Sequence, residues 1–335
     1  MSAGGANVPS LELLVDRGLH GVRIDSFLAK HLRNYTSWRM MRLVRAGCVT
    51  IDHVPAEESQ RVAVGQQVRV RLVEPPDKLL APEAIDVPVL YDDAWLVVID
   101  KPAGLIAHPT GEIQTGTLAN AMQHWIDART PCPGLLRPGI VHRLDRQTSG
   151  VMVIALTHDA HAELSASFEN SRVSKTYVAL VEGKVRLDRG TIDLPIGRAP
   201  TGRHLLMSCR ADARQRKPAK TQYRVLQRFA DHTLVEAKPF TGRNHQIRVH
   251  LAAIGHPLVG DEFYEANGRI KPLIEDGRDT RFVPRAVETG FPLRRHALHA
   301  MELSFAHPVS GVWMTARSKL PSDFQETLEV LANGG

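Results

Sequence analysis

The chain has 335 residues, room for two or three domains and at least one sizeable core, and its 43% apolar content with 25 glycines and 21 prolines is that of an ordinary globular protein. A formal net charge of +6 favours a polyanionic partner or a membrane surface without choosing between them. No run of eighteen apolar residues offers a transmembrane helix, MSAGGANVPS lacks the basic and apolar regions of a secretory signal, and Cys48, Cys132 and Cys209 are too scattered for a disulfide or metal framework; a reducing cytoplasm is the natural compartment.

In chain order, residues 1–20 read as a flexible N-terminus and 21–73 as a small α+β domain. Ile24, Phe27, Leu28 and Leu32 fall at helical spacing. A second helix is predicted from Ser37 to Ala46, stopping at Gly47, followed by a strand at Val49 and Ile51. Val62, Val64, Val68, Val70 and Leu72 suggest further short strands around a turn at Gly65. The two helices carry Arg23, Lys30, Arg33, Arg39, Arg42 and Arg45 against Asp25, a positive face for phosphates; on charge alone a solvated surface serves equally well. Residues 74–88, EPPDKLLAPEAIDVP, read as a Pro-rich linker, part of it extended along the next domain.

Residues 89–331 form the large domain. Val89–Tyr91 and Trp95–Ile99 read as strands, Lys101-Pro102-Ala103-Gly104 as a turn and Thr117–Ile126 as a helix. Thr130–Gly134 is a loop, Val151–Leu156 a buried strand, Asp159–Phe168 a helix and Thr176–Val181 a strand. A basic, hairpin-like stretch at 192–222 precedes two paired strands, Tyr223–Phe229 and His232–Ala237. Gln246–Ile254 is a helix closed by Gly255, with Ile247, Leu251 and Ile254 on its buried face. Residues 261–295 read as an irregular charged insertion, Leu298–Phe305 and Val312–Ala316 as closing strands, and Pro321–Leu331 as a last helix. The uneven alternation predicts an α+β domain around a mixed sheet.

One loop stands out: residues 138–150, PGIVHRLDRQTSG, set Asp145 among His142, Arg143 and Arg146 immediately before the buried strand. A carboxylate there needs cationic or hydrogen-bonding partners if it lies inside, and the same basic residues suit a phosphate-bearing substrate. Alone, Asp145 is as well explained by a structural turn. With it stand Lys101-Pro102-Ala103-Gly104-Leu105, Lys175-Thr176-Tyr177, Thr241-Gly242-Arg243-Asn244-His245-Gln246-Ile247-Arg248-Val249-His250, Gly255-His256-Pro257 with Gly260-Asp261, and Leu298-His299-Ala300.

In this order the blocks, covering roughly residues 90–310, resemble the RluA/RluD type of pseudouridine synthases, and residues 21–73 resemble a small RNA-binding domain shared by a small-subunit ribosomal protein and bacterial tyrosyl-tRNA synthetases. The resemblance implies a pseudouridine synthase fold with a central mixed, mainly antiparallel sheet. It implies Asp145 as the nucleophile that detaches uracil from its ribose, Arg248 as the partner that keeps it ionised, and Tyr177 as a stacking platform for the base. Arg143 is implied to enter the RNA helix beside the flipped nucleotide, and His142, Arg146, Lys175 and Arg243 to contact RNA or order the loop. Arg39, Arg42 and Arg45 are the small domain's expected phosphate contacts. Two departures are visible: Thr36-Ser37 where the family often has Ser-Arg, and Arg295-His296 where it often has Arg-Gln.

The expected chemistry is isomerisation, which changes no oxidation state and calls for no cofactor. The histidines lie in dissimilar contexts, so no metal is expected. Ribosomal RNA or a pre-ribosomal particle is the expected partner of a monomer that avoids membranes. Transfer RNA as substrate, or a non-catalytic ribosome-assembly factor, remain the alternatives. No H-x-E with paired cysteines supports a deaminase, and no G-x-S-x-G elbow a serine hydrolase.

Overall fold

The computed structural model describes residues 10–334 apart from 34, 46, 72–79, 111–112, 130–136, 201–205 and 272–287, and leaves the side chains of 42 and 158 undescribed. The expected Thr130–Gly134 loop and residues 272–287 of the charged insertion lie outside the described residues.

The small domain starts earlier than its sequence suggests. Ser10–Leu14 forms β1, an edge strand pairing Leu13 with Val68 and Leu11 with Val70, so residues 10–20 belong to the domain and not to a flexible terminus. Its Leu-Glu-Leu alternation is only five residues long and follows a run of small residues that masks it. Helices α1 (Ile24–His31) and α2 (Ser37–Arg45) cover an antiparallel sheet made with β2 (Val49–Ile51), β3 (Val54–Pro55) and β4 (Gln67–Arg71), in the order β1-β4-β2-β3. Phe27, Leu28, Leu32, Met40, Val68 and Val70 make a core of this domain's own residues, whereas Val64 is exposed and joins no strand.

The second half of the expected linker is part of the large domain. Asn120 donates from Nδ2 to the Ala81 carbonyl and the Glu83 carboxylate accepts the Gly116 N–H, which ties residues 81–83 to the start of the next helix.

The large domain carries β5 (Val89–Asp92), β6 (Leu96–Lys101), α3 (Leu118–Asp127), β7 (Gly139–Ile140), β8 (Ser149–Ala155), α4 (His158–Glu169), β9 (Ser174–Glu182) and β10 (Arg189–Asp193). It continues with β11 (Ile196–Arg198), β12 (Met207–Ser208), β13 (Arg214–Lys217), β14 (Lys220–Arg228), β15 (His232–Pro239) and α5 (Gln246–Ala253). It closes with β16 (Tyr264–Glu265), β17 (Arg269–Ile270), β18 (Leu298–Ala306), β19 (Trp313–Arg317) and α6 (Ser322–Asn333). Ten strands join in one sheet ordered β10-β14-β15-β9-β18-β8-β6-β5, with β19 on β18 and β7 on β8. The fold is α+β, and its large sheet is mixed and mainly antiparallel, since only β18 and β8 run parallel. β11, β12 and β13 make a small separate sheet from the basic stretch at 192–222.

One row across the sheet matters for function: Ala237, Tyr177, Ala300, Gly150 and Lys101 pair in succession from β15 to β6. Gly150 sits in that row at φ +118, where a Cβ would run into the Ala300 carbonyl. The close approach of β8 to β18 therefore requires glycine. It fixes where the Asp145 loop enters the sheet.

Candidate active site

The Asp145 loop joins β7 to β8 and is held from below and from both sides. Beneath it, Lys101 is fully buried and its Nζ donates to the carbonyls of Pro102 (2.8 Å), Leu105 (2.9 Å) and Arg146 (3.2 Å). Burial pushes this lysine down to about 7, against the pull of Asp145. Arg146 Nε donates to the Gly104 carbonyl and the Gly104 N–H to the Arg146 carbonyl, so loop and turn are stapled twice. On the far side, Arg295 forks onto Asp323 and donates to the Gln147 carbonyl, His296 Nε2 contacts Thr148 Oγ1 at 2.8 Å, and His299 contacts Ser149 Oγ. The departure at His296 thus keeps a polar side chain on the loop.

His142, expected to contact RNA or order the loop, is held by two contacts within the protein. Its ring stacks on Phe168 at 4.3 Å, and its Nε2 accepts the Val153 N–H at 3.0 Å. Burial drives it down to about 3, so it is neutral. Arg146 is likewise spent partly on the Gly104 carbonyl.

Asp145 meets its partner from α5. That helix is buried along most of its length, because Ile247, Val249, Leu251 and Ala252 pack into two core clusters; Ile254, expected to bury, is instead 36% exposed at the helix end. Gln246 anchors the preceding turn by accepting from Thr241 Oγ1 and the Arg243 N–H and donating to the Lys220 carbonyl. From this fixed backbone Arg248, 1% exposed, donates Nη1 to Asp145 Oδ2 at 3.1 Å. Its Nε and Nη2 form a two-pronged pair with Asp261 at 2.8 Å each, and Glu262 Oε1 lies 3.7 Å from Nη2. Asp261 also accepts the N–H groups of Phe263 and Tyr264.

One guanidinium therefore serves three carboxylates. Burial raises Asp145, but His245, Arg248 and Arg143 more than offset it and hold the carboxyl below its ordinary range. Asp261 is held down in the same way, by Arg248 first. Glu262, the most weakly paired, is pushed up to about 7 by burial and by the charges of Asp261 and Asp145. A carboxyl raised in the folded state contributes stability that is full below its ordinary value and lost as pH rises through the raised one. Glu262→Gln should therefore raise the melting temperature by roughly 5 °C at pH 8 and change it little at pH 4.5, read by thermal denaturation.

Asp145 is 20% exposed and opens on a cavity of about 570 Å³. Tyr177, Arg248, His142, Arg143, Lys175 and Arg243 share its walls, so seven of the residues expected from sequence come together there. Burial and the Asp145 charge raise the Tyr177 phenol, which stays protonated at neutral pH and so presents a neutral ring. Lys175 Nζ reaches the Thr241 carbonyl, and Arg243 Nε the Pro218 carbonyl. Arg146 and the small-domain arginines are not among the walls. Arg45 is paired with Glu58 at 2.6 Å, a carboxylate supplied from beyond the helices, so it is not the uncompensated cation expected; Arg39 is half-buried, and the side chain of Arg42 is undescribed.

Sequence reasoning gave no role to Asp261, Glu262, His245 or Lys101. Asp261 and His245 were visible inside the matched blocks, yet nothing local marked them as partners of Arg248 and Asp145.

Residues 95–253 match the family described as RNA pseudouridylate synthase. A protein of Nitrosomonas europaea named ribosomal large subunit pseudouridine synthase D is 38% identical, over 99% of this chain and 91% of that one. One of the same name from Pseudomonas aeruginosa is 37% identical, over 93% of each chain. Among solved structures, human RNA pseudouridylate synthase domain containing 4 superposes with a TM-score of 0.55 at 28% identity, covering 73% of this chain and 93% of that one.

Proposed function

The chain belongs to the RluA/RluD-like family of RNA pseudouridine synthases, isomerases that convert uridine to pseudouridine, and from that premise we propose that it acts on large-subunit ribosomal RNA in the cytoplasm with Asp145 as its nucleophile. The observation that carries this reading is the carboxylate held ionised by a buried arginine at the floor of a cavity walled by Arg143, Lys175 and Arg243. A flipped uridine presents an apolar base face and a phosphate, and the cavity offers a neutral tyrosine ring and three cations for them. Tyr177 stacks on the base. Arg143 fills the space the nucleotide leaves. The reaction needs no oxidant or reductant, because the uracil detaches, turns and rejoins through C5. No helix among the described residues is long and apolar enough to cross a membrane.

The names carried by the relatives support the ribosomal target. Mapping pseudouridines in total RNA from cells with and without the gene tests it: sites lost from large-subunit RNA agree with the proposal, and sites lost only from transfer RNA overturn the target.

Residues 10–71 supply affinity and target choice. Their core is their own, and Arg23 and Arg45, though paired with Asp25 and Glu58, are exposed pairs that a phosphate can open. Removing residues 1–75 should leave turnover on a short stem-loop within about threefold of wild type and cut it at least tenfold on structured ribosomal RNA, with weaker salt dependence of binding. Equal losses on both RNAs would show that the small domain is needed for folding or catalysis.

A further inference from the structure

His245 stands at the N-terminus of α5 in the left-handed region, φ +54, with no side-chain cap bond to the helix. A non-glycine residue held there carries backbone strain, and asparagine or glycine would fill a mere turn more easily. Its imidazole Nδ1 lies 2.7 Å from the Tyr264 hydroxyl, and its Nε2 lies 3.9 Å from Asp145 Oδ1.

The hydrogen-bond inventory fixes the tautomer. Tyr264 is 2% exposed, and its oxygen already accepts the Met207 N–H at 3.1 Å. The hydroxyl has one proton to give, and His245 Nδ1 is the acceptor it has among the described residues. A buried donor left without an acceptor is costly, so the hydroxyl donates to Nδ1 and the ring proton sits on Nε2. That proton is on the side of Asp145 Oδ1, while Arg248 holds Oδ2.

We propose that His245 is a positioning residue for the nucleophile: Tyr264 fixes its Nε2–H tautomer, and that N–H steadies the oxygen of Asp145 that Arg248 does not bind. This deepens the reading of Asp145 as nucleophile and rests on it. Burial drives the imidazole towards its neutral form; Asp145 and Asp261 pull the other way, and Arg248 and Arg143 add to the push. His296, on the far side of the loop, is buried and neutral as well. At 3.9 Å the contact is electrostatic, and contacts of this kind shorten once substrate is seated.

Two substitutions separate this role from a structural one. In His245→Gln the amide reaches the place of Nε2; in His245→Asn it reaches only that of Nδ1, but asparagine suits the left-handed backbone better. Single-turnover isomerisation by the full chain should fall about 100-fold in His245→Asn and stay within about tenfold of wild type in His245→Gln, with KM for RNA unchanged in both. The acid limb of the pH profile should move to higher pH in His245→Asn, because Asp145 loses one of the groups that hold its carboxyl down. Wild-type turnover and an unmoved acid limb in His245→Asn would overturn the proposal and leave His245 a helix-end residue. Equal loss in both variants with a fall in melting temperature would overturn it as well. Loss of turnover in Asp145→Asn beside unaffected His245 variants would reject this inference alone, and an active Asp145→Asn would reject the reading beneath it.

Discussion

Asp145→Asn is expected to lower isomerisation by about 10⁴-fold or more while RNA binding persists and the melting temperature at pH 7 falls modestly. The carboxamide keeps the size of the side chain and an oxygen for Arg248 Nη1, so the loop has no reason to rearrange. What disappears is the negative charge, and with it the nucleophile. Some stability goes with the charge, because the folded site holds the Asp145 carboxyl below its ordinary range; the loss is partial, since Asp145, Asp261 and Glu262 share one guanidinium and Glu262 is pushed up to about 7 in part by Asp145. Removing one carboxylate relieves that repulsion and offsets part of the loss. Nucleoside analysis of RNA after a single turnover, with filter binding on the same preparation, checks both halves. Pseudouridine above background would remove Asp145 from the role of nucleophile.

Arg248 gives the second large effect, and the structure changes which substitution is informative. The sequence resemblance implied Arg248 only as the partner that keeps Asp145 ionised. In the structure it also neutralises Asp261, whose side chain is wholly inaccessible, so Arg248→Ala leaves a buried charge alone and should cost about 3–5 kcal/mol of stability. Arg248→Lys keeps the charge but cannot fork onto Asp261 and reach Asp145 together. It should fold, lose about 10²–10³-fold in kcat, and leave KM for RNA nearly unchanged, because a residue 1% exposed grips no backbone phosphate. Asp145 and Asp261 are both held below the ordinary carboxylate range, so their contribution to stability is present above that range and lost as pH falls through the folded values. Weaker pairing raises those values, and acid unfolding of Arg248→Lys should begin at higher pH than in wild type. A folded Arg248→Lys with wild-type kcat/KM at pH 7 would refute the pairing role.

What was legible in the sequence depended on local signals. Helix α3 announced itself through the apolar stripe of Leu118, Ala121, Met122 and Trp125, β8 through an unbroken apolar run, and α5 through Gly255 at its end. Asp145, Tyr177 and Arg248 were readable because each sits in a matched block. Asp261 was not assigned a role, because its link to Arg248 is made in three dimensions. The chain turns at Gly260, φ +70, where a Cβ would strike the Arg295 carbonyl, and that turn brings the carboxylate back under the helix. His245 was hidden because no periodicity marks a histidine in the left-handed region. The contacts of His142 were hidden too: its ring stacks on Phe168 and accepts the Val153 N–H, both distant in sequence. Strand β1 was lost to its shortness, and the Arg45 pair to the fact that Glu58 comes from outside the helices.

Release of tritium from large-subunit ribosomal RNA transcribed with C5-labelled uridine tests the central claim most directly, because the label leaves only when a new bond forms at C5. The purified full-length chain should release a fixed number of equivalents per transcript without added cofactor, and Asp145→Asn should release none while binding the same RNA. Absence of release by the wild-type chain from ribosomal and transfer RNA alike, or equal release by Asp145→Asn, would contradict the account.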